Sequence, residues 1–250
     1  MKIDLNSDLG ESFGAYKIGN DENIIPLITS ANIACGYHAG DPLVMDKTLL
    51  LCKENGTSIG AHPGFPDLMG FGRRQLNASP KEVEAYVTYQ IGALDAFCRK
   101  YGLRMNHVKP HGALYNMAVK NEDYAIAIAN AVKNFDSSIK LLAPFGSQMI
   151  IQAEKQGIDF ACEIFADRAY ESDGSLVART KEGAMITDEN EAVERVLTMI
   201  TDGSVKAING DIISIKADSV CVHGDGAKAL AFVEKLRTAF GENGIYVEAM

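Results

Sequence analysis

The stretch Asn32-Ile33-Ala34-Cys35-Gly36-Tyr37-His38-Ala39-Gly40-Asp41-Pro42 runs from an apolar, strand-like segment through a polar turn carrying a histidine into a helix start. The same order recurs along the chain. Asn6-Ser7-Asp8-Leu9-Gly10-Glu11, Ala61-His62-Pro63-Gly64, Lys109-Pro110-His111-Gly112, Phe165-Ala166-Asp167-Arg168 and His223-Gly224-Asp225-Gly226 each follow an apolar run. Titratable groups that return at strand exits are a (β/α) barrel written in one dimension, because the loops after its strands converge on one face and build one site. The pattern therefore predicts an α/β enzyme.

The elements between these clusters agree. Short, mostly apolar runs at 2–6, 29–35, 57–61, 106–109, 139–143, 159–163 and 219–222 have the character of buried parallel strands and number seven. Helices alternate with them. Asp41-Pro42 opens one that Gly56 ends. Ser79-Pro80-Lys81-Glu82 is a capping box with proline at the first helical position. The stripe Val83, Val87, Ile91, Leu94 and Cys98 follows it, and Gly102 closes that helix. Asn121, Ser147 and Asp188 open three more, and a last helix is expected from Gly226 to Phe240, stopped by Gly241. Val205–Ile208 and Ile212–Ile215 read as a hairpin around Asn209-Gly210-Asp211. Residues 164–187 show no element of their own, and so long a segment in a compact domain is usually a functional cover. No linker or repeat interrupts the pattern, so one domain over 1–250 is expected.

Composition narrows the function classes. A net charge of −9 argues against nucleic acid or an anionic membrane as partner. The five scattered cysteines form neither a disulfide framework nor a Cys-x-x-Cys pair, which fits a reducing cytoplasm. Met1-Lys2-Ile3-Asp4 does not read as a signal peptide, and no apolar run approaches the ~20 residues of a membrane span.

The strand exits supply the candidate chemistry. Asp8 and Glu11 can act as base and acid or hold a divalent cation, and they read equally as turn and helix-start carboxylates. His38 has no capping role, whereas Asp41 has a strong one beside any contact with substrate. His62 precedes a glycine-rich loop that carries Arg73 and Arg74, which can clamp an anion or simply be solvated. Lys109 and His111 stand two residues apart, so strand geometry points them the same way. Each is expected to lower the other's proton affinity, and the pair suits a developing oxyanion. Lys109 is read as a buried, unpaired cation. Asp167 and Arg168 form either a carboxylate clamp or a structural salt bridge. His223 and Asp225 lie in a glycine-rich helix entry that can bind an anion, although Asp225 also fits a helix cap. The chain has no phosphate loop, no dinucleotide fingerprint, no nucleophile elbow and no His-Glu-x-x-His.

Five motifs in order, Asp4-Leu5-Asn6-Ser7-Asp8-Leu9-Gly10-Glu11, Asn32 to Pro42, Gly60-Ala61-His62-Pro63-Gly64, Val108-Lys109-Pro110-His111-Gly112-Ala113-Leu114-Tyr115 and Glu163-Ile164-Phe165-Ala166-Asp167-Arg168, resemble the LamB/YcsF family over nearly the whole chain. That resemblance implies a seven-stranded barrel akin to glycoside hydrolases and polysaccharide deacetylases. It also implies ATP-dependent opening of 5-oxoproline to glutamate, with ATP and a divalent cation, in a complex with subunits B and C. With the lactam oxygen phosphorylated, water can add to the ring carbon and the ring opens with loss of phosphate. Asp8 or His38 is then the candidate base, Lys109 and His111 stabilise charge, and Arg168 or the Arg73–Arg74 loop holds the carboxylate. The nucleotide site is non-standard or shared with the partners. The competing reading is a metal-dependent, deacetylase-like hydrolase using Asp8, His38 and His62. A third is a non-catalytic component that presents substrate.

Overall fold

The structure, a computed structural model, describes residues 1–222 and 229–250. In chain order its strands are β1 (Lys2–Leu9), β2 (Ser30–Ala34), β3 (Ser58–His62), β4 (Met105–Val108), β5 (Lys140–Pro144), β6 (Phe160–Phe165), β7 (Ser204–Lys206), β8 (Ile212–Ser214), β9 (Ser219–Cys221) and β10 (Tyr246–Val247). The helices are α1 (Asp21–Ile24), α2 (Pro42–Asn55), α3 (Pro80–Tyr101), α4 (Gly112–Ala118), α5 (Glu122–Phe135), α6 (Gln148–Gln156), α7 (Glu189–Thr201) and α8 (Ala229–Glu242).

Strands β1 to β6 pair in sequence order, all parallel, and β9 pairs with both β6 and β1. Seven parallel strands thus close into a barrel, as the sequence pattern predicts. Strand β10 adds to the start of β1, and β7–β8 form a separate antiparallel hairpin. The predicted caps hold: Asp41 accepts from Leu43 N and Val44 N, and Ser79 and Glu82 close a capping box. The face of α3 predicted from its apolar stripe is fully buried, Val83, Val87, Ile91, Leu94 and Cys98 included. Each such aliphatic side chain contributes about 1.5–3 kcal/mol against exposure.

Two expectations need correction. Helix α8 does not stop at Gly241 but runs through it to Glu242, and the left-handed turn falls at Gly244. Burial of Val233, Leu236 and Phe240 outweighs the low helix propensity of one glycine. Its expected start at Gly226 lies outside the described residues. Strand β1 is also less apolar than expected. On β1, Ile3, Leu5 and Leu9 join the core cluster, while Asp4, Asn6 and Asp8 alternate with them. Those polar side chains bond to polar groups of the neighbouring strands and, at Asp8, to Lys109 from the far side of the barrel, so they fill its interior. No helix among the described residues is long and apolar enough to cross a membrane.

Candidate active site

The polar interior forms a continuous column. At the strand starts, the Asp4 carboxylate accepts from Thr29, Ser30 and Ser219. Burial nonetheless pushes its proton affinity up. Asn6 donates to Ser219 at 2.6 Å and accepts from Asn32 at 2.7 Å. His107 Nε2 meets Asn32 Oδ1 at 2.7 Å, reaching past β3 where Gly60 leaves space that a Cβ would fill. Burial, then Lys109, lowers the His107 pKa to about 3, so this imidazole is neutral.

At the strand ends the column meets Lys109. Its Nζ lies 3.0 Å from Asp8 Oδ1 and 2.6 Å from Glu163 Oε1, with only 2% of the side chain exposed. Cys221 Sγ and Asn6 Oδ1 are also within reach, at 3.2 and 3.3 Å. Tyr115 donates its hydroxyl to Glu163 Oε2 at 2.8 Å. Burial opposes the ammonium charge, but Asp8 and Glu163 outweigh it and hold Lys109 protonated, its pKa well above the usual value. This overturns two expectations. Lys109 is not an unpaired cation, and His111 does not depress it. The reason is Asp8 together with Glu163, which sequence reasoning did not count among the site residues.

The histidines gather beside it. His62 Nδ1 donates to the carbonyl of Lys109 at 2.7 Å, while His62 Nε2 faces Asp8 Oδ2 at 3.3 Å. His111 Nε2 donates to the carbonyl of Phe71 at 2.8 Å, while His111 Nδ1 faces His62 Nε2 at 2.9 Å and Glu11 Oε1 at 3.6 Å. His38 is fully buried, its Nε2 3.1 Å from Glu11 Oε1. Its ring stacks on that of His111 at 3.7 Å between centroids and 4° between planes. Burial first, then neighbouring imidazoles, hold His38 and His111 well below the ordinary histidine pKa. Burial raises that of Glu11. Glu11, His38, His62 and His111 each offer an atom to one locus, all within 4.8 Å of one another, and could hold a metal ion. The competing metal reading drew on Asp8, His38 and His62; the cluster has Glu11 in place of Asp8 and adds His111, and Asp8 stands against His62.

A cavity of about 820 Å³ opens above this floor. Asp8, Glu11, His62, Lys109 and His111 line it, with Arg73 and Arg168 on its walls. Residues 175–180 of the long segment after β6 also line it, so that segment covers the site. The segment carries isolated bridges from Arg168 to Met185 and from Tyr170 to Leu176, and a small apolar cluster of Ala169, Val177 and Ala184. Arg168 is buried, donates to the Val177 carbonyl at 2.5 Å and leaves its Nε without a partner. Burial, then Arg179, lowers the Arg168 pKa to about 10.

Other candidates stand apart. His38 lies behind His111 and does not line the cavity. The Asp41 carboxylate is taken up by the amides of Gly14, Leu43 and Val44, and it too is absent from the cavity wall. Arg74 is exposed and pairs with Asp67, which fixes the loop around Gly70 rather than facing the cavity. Asp167 is half-buried at the root of the covering segment and is not part of the wall. His223 and Asp225 lie outside the described residues. Glu163, Tyr115, Asn6, Asn32 and His107 were missed. For Asn6 and Asn32 the signal was period-two polarity inside strand runs, as in Asp4-x-Asn6-x-Asp8 and Ser30-x-Asn32, while Glu163 stands alone in its strand and Tyr115 lies on α4.

The chain matches the LamB/YcsF family over residues 3–250. It belongs to that family. This LamB/YcsF protein is 61% identical over 246 residues to the A subunit of 5-oxoprolinase from Clostridium beijerinckii, covering 98% of this chain and 96% of the relative. Among solved structures it superposes on the lactam utilization protein from Thermus thermophilus with a TM-score of 0.94 and 45% identity, each chain fully covered. A family 4 carbohydrate esterase from Streptomyces lividans aligns with a TM-score of 0.51 at 8% identity over 98% of this chain and 91% of the esterase, a likeness of fold alone.

Proposed function

We propose that this LamB/YcsF chain is the lactam-opening component of an ATP-dependent 5-oxoprolinase, a single catalytic domain over residues 1–250 that acts in the cytoplasm with subunits B and C. One observation carries the reading. The floor of one covered cavity brings together an ammonium held between carboxylates and neutral imidazoles, in a chain whose full-length relatives bear the name of the 5-oxoprolinase A subunit.

A five-membered lactam is a poor electrophile. ATP, with its divalent cation, phosphorylates the lactam oxygen and leaves as ADP. Water then adds to the ring carbon, the C–N bond breaks and the nitrogen takes a proton. A second water cleaves the resulting acyl phosphate, giving glutamate and phosphate. Asp8, which lies on the cavity wall beside Lys109, is placed to take the proton of the attacking water. Lys109 and His111 stabilise the charge that develops on oxygen. Arg168, with Arg73, holds the substrate carboxylate, and the covering segment excludes bulk water. The cavity is far larger than 5-oxoproline, which leaves space for a phosphoryl group. The nucleotide site is either non-standard in this chain or shared with the partners.

A second reading, ATP-independent hydrolysis in the manner of a deacetylase, draws on the cluster of Glu11 and three histidines. Reconstitution separates the two. The chain, subunits B and C, 5-oxoproline and Mg-ATP together are expected to form glutamate, and omission of ATP or of any one component is expected to abolish it. Glutamate formation by the chain alone without ATP would favour the second reading.

A further inference from the structure

The floor of the cavity holds more lone pairs than protons. A neutral imidazole has one N–H, and a carbonyl oxygen only accepts. The carbonyl of Lys109 takes the His62 proton at Nδ1, and that of Phe71 takes the His111 proton at Nε2. The facing nitrogens, His62 Nε2 and His111 Nδ1, are therefore both bare, 2.9 Å apart. Asp8 Oδ2 lies 3.3 Å from the first and Glu11 Oε1 3.6 Å from the second. The one proton of His38 does not relieve this contact. On Nε2 it serves Glu11; on Nδ1 it meets no partner. Acceptors this close repel one another unless a positive charge sits among them. That charge is a shared proton or a metal cation.

We propose that Glu11, His62 and His111 bind a first-row divalent transition-metal cation at the cavity floor, with its open side toward Asp8 and the substrate, while His38, stacked parallel on His111 and so unable to share its metal, holds Glu11 through Nε2. A proton satisfies one pair of atoms and charges a ring buried against the His38 stack. A metal satisfies all the converging donors at once. Bonds of about 2.0–2.2 Å in a tetrahedral site give donor–donor edges near ~3.4 Å. The edges here include 2.9 Å between His62 and His111 and 3.6 Å between His111 and Glu11, and none exceeds 4.8 Å. Distal N–H groups held on backbone carbonyls are the orientation that ligating imidazoles adopt. Gly64 and Gly72 make room for the rings: a Cβ at Gly64 would lie 2.8 Å from His38 Nδ1, and one at Gly72 2.8 Å from His111 Cδ2. Two imidazoles and one carboxylate suit Zn²⁺, Co²⁺ or Fe²⁺, not the all-oxygen preference of Mg²⁺ or Ca²⁺. This ion is therefore separate from the one that accompanies ATP. Glu11, His62 and His111 line the cavity, so the ion is accessible to a ligand rather than sealed in.

The test is metal binding by the untagged full-length chain, with no activity readout. Elemental analysis of protein purified without added metal should find close to one equivalent. The stripped chain should bind Zn²⁺ by calorimetry, and Co²⁺ should give the intense visible absorption of a low-coordinate nitrogen site. His62→Gln and His111→Gln should each weaken Zn²⁺ binding on the order of 100-fold or more, with circular dichroism as the control for folding. His107→Gln alters a buried imidazole outside the cluster and should leave binding unchanged. A wild-type chain that carries no metal and gains none on titration overturns the proposal. So does Zn²⁺ binding that is indifferent to His62→Gln and His111→Gln. A ¹⁵N spectrum that keeps an imidazolium at His62 or His111 under excess Zn²⁺ assigns the charge to a proton, and likewise overturns it.

Discussion

Lys109→Met removes the ammonium between the buried Glu163 and the partly buried Asp8 carboxylates and keeps much of the apolar stem. Glu163 Oε1 loses its partner at 2.6 Å, and Asp8 Oδ1 loses one at 3.0 Å. Glu163 is 1% exposed and keeps only the Tyr115 hydroxyl. Breaking a buried ion pair from one side typically costs about 3–5 kcal/mol, because the remaining charge stays desolvated. For a chain of this size that is a fall in Tm of about 6–20 °C. Glu163→Gln in the Lys109→Met background removes the orphaned charge and is expected to restore most of the lost stability. Turnover of the reconstituted complex should fall by ~10²–10³ in the single variant and should not return in the double variant, because the ammonium is still missing. Guanidinium unfolding of the wild type and of the single and double variants, with glutamate production as the second readout, checks all of this. A single variant as stable as wild type, or a double variant no more stable than the single, would refute the buried ion-pair geometry. Normal turnover in Lys109→Met would remove Lys109 from the chemistry.

Other consequences are equally concrete. His107 has a folded pKa of about 3 against an unfolded value of about 6.5, so its contribution is intact above pH 6.5 and is lost as pH falls between those limits, at ~1.4 kcal/mol per pH unit. Denaturant midpoints across that window should fall less steeply for His107→Gln; equal slopes would place the acid sensitivity elsewhere. Arg168→Met should raise KM for 5-oxoproline at least about tenfold with a smaller effect on kcat, since a substrate-carboxylate contact is made in ground and transition states alike; an unchanged KM would free Arg168 of that role. Asp41→Ala removes a cap that accepts three amides and should lower stability by about 0.5–2 kcal/mol while leaving turnover of the folded protein intact. A selective loss of turnover would return Asp41 to the substrate site.

The barrel was legible because its signals are local. Asp41-Pro42, Ser79-Pro80-Lys81-Glu82 and the left-handed glycines at 56, 102 and 157 mark helix ends wherever the chain folds. Lys109, His111, His62, Asp8 and Glu11 stand out because titratable groups at strand exits must converge once the barrel closes. What escaped depends on contacts across the barrel. Glu163 sits inside a strand run and reads as an isolated acid until closure sets it 2.6 Å from Lys109. Helix α4 follows His111, which supplies no side-chain cap, and is held by burial of Leu114, Tyr115 and Ala118. His38 reads as a reactive exit residue, yet folding stacks it behind His111, with its Nε2 3.1 Å from Glu11. Arg74 is indistinguishable from Arg73 in sequence, but the turn at Gly70 commits it to Asp67.

The most direct measurement is glutamate formation by the reconstituted three-component complex under saturating Mg-ATP, comparing the wild-type chain with Asp8→Asn. The substitution is nearly isosteric, keeps an acceptor for Lys109 and Asn32, and removes the group placed to take the proton of water. The expected result is ATP-dependent glutamate formation with the wild-type chain, reduced by about 10²–10⁴ in Asp8→Asn at unchanged assembly and folding. Full activity in Asp8→Asn, or glutamate formation by the partners without this chain, would contradict the placement of lactam opening in this cavity.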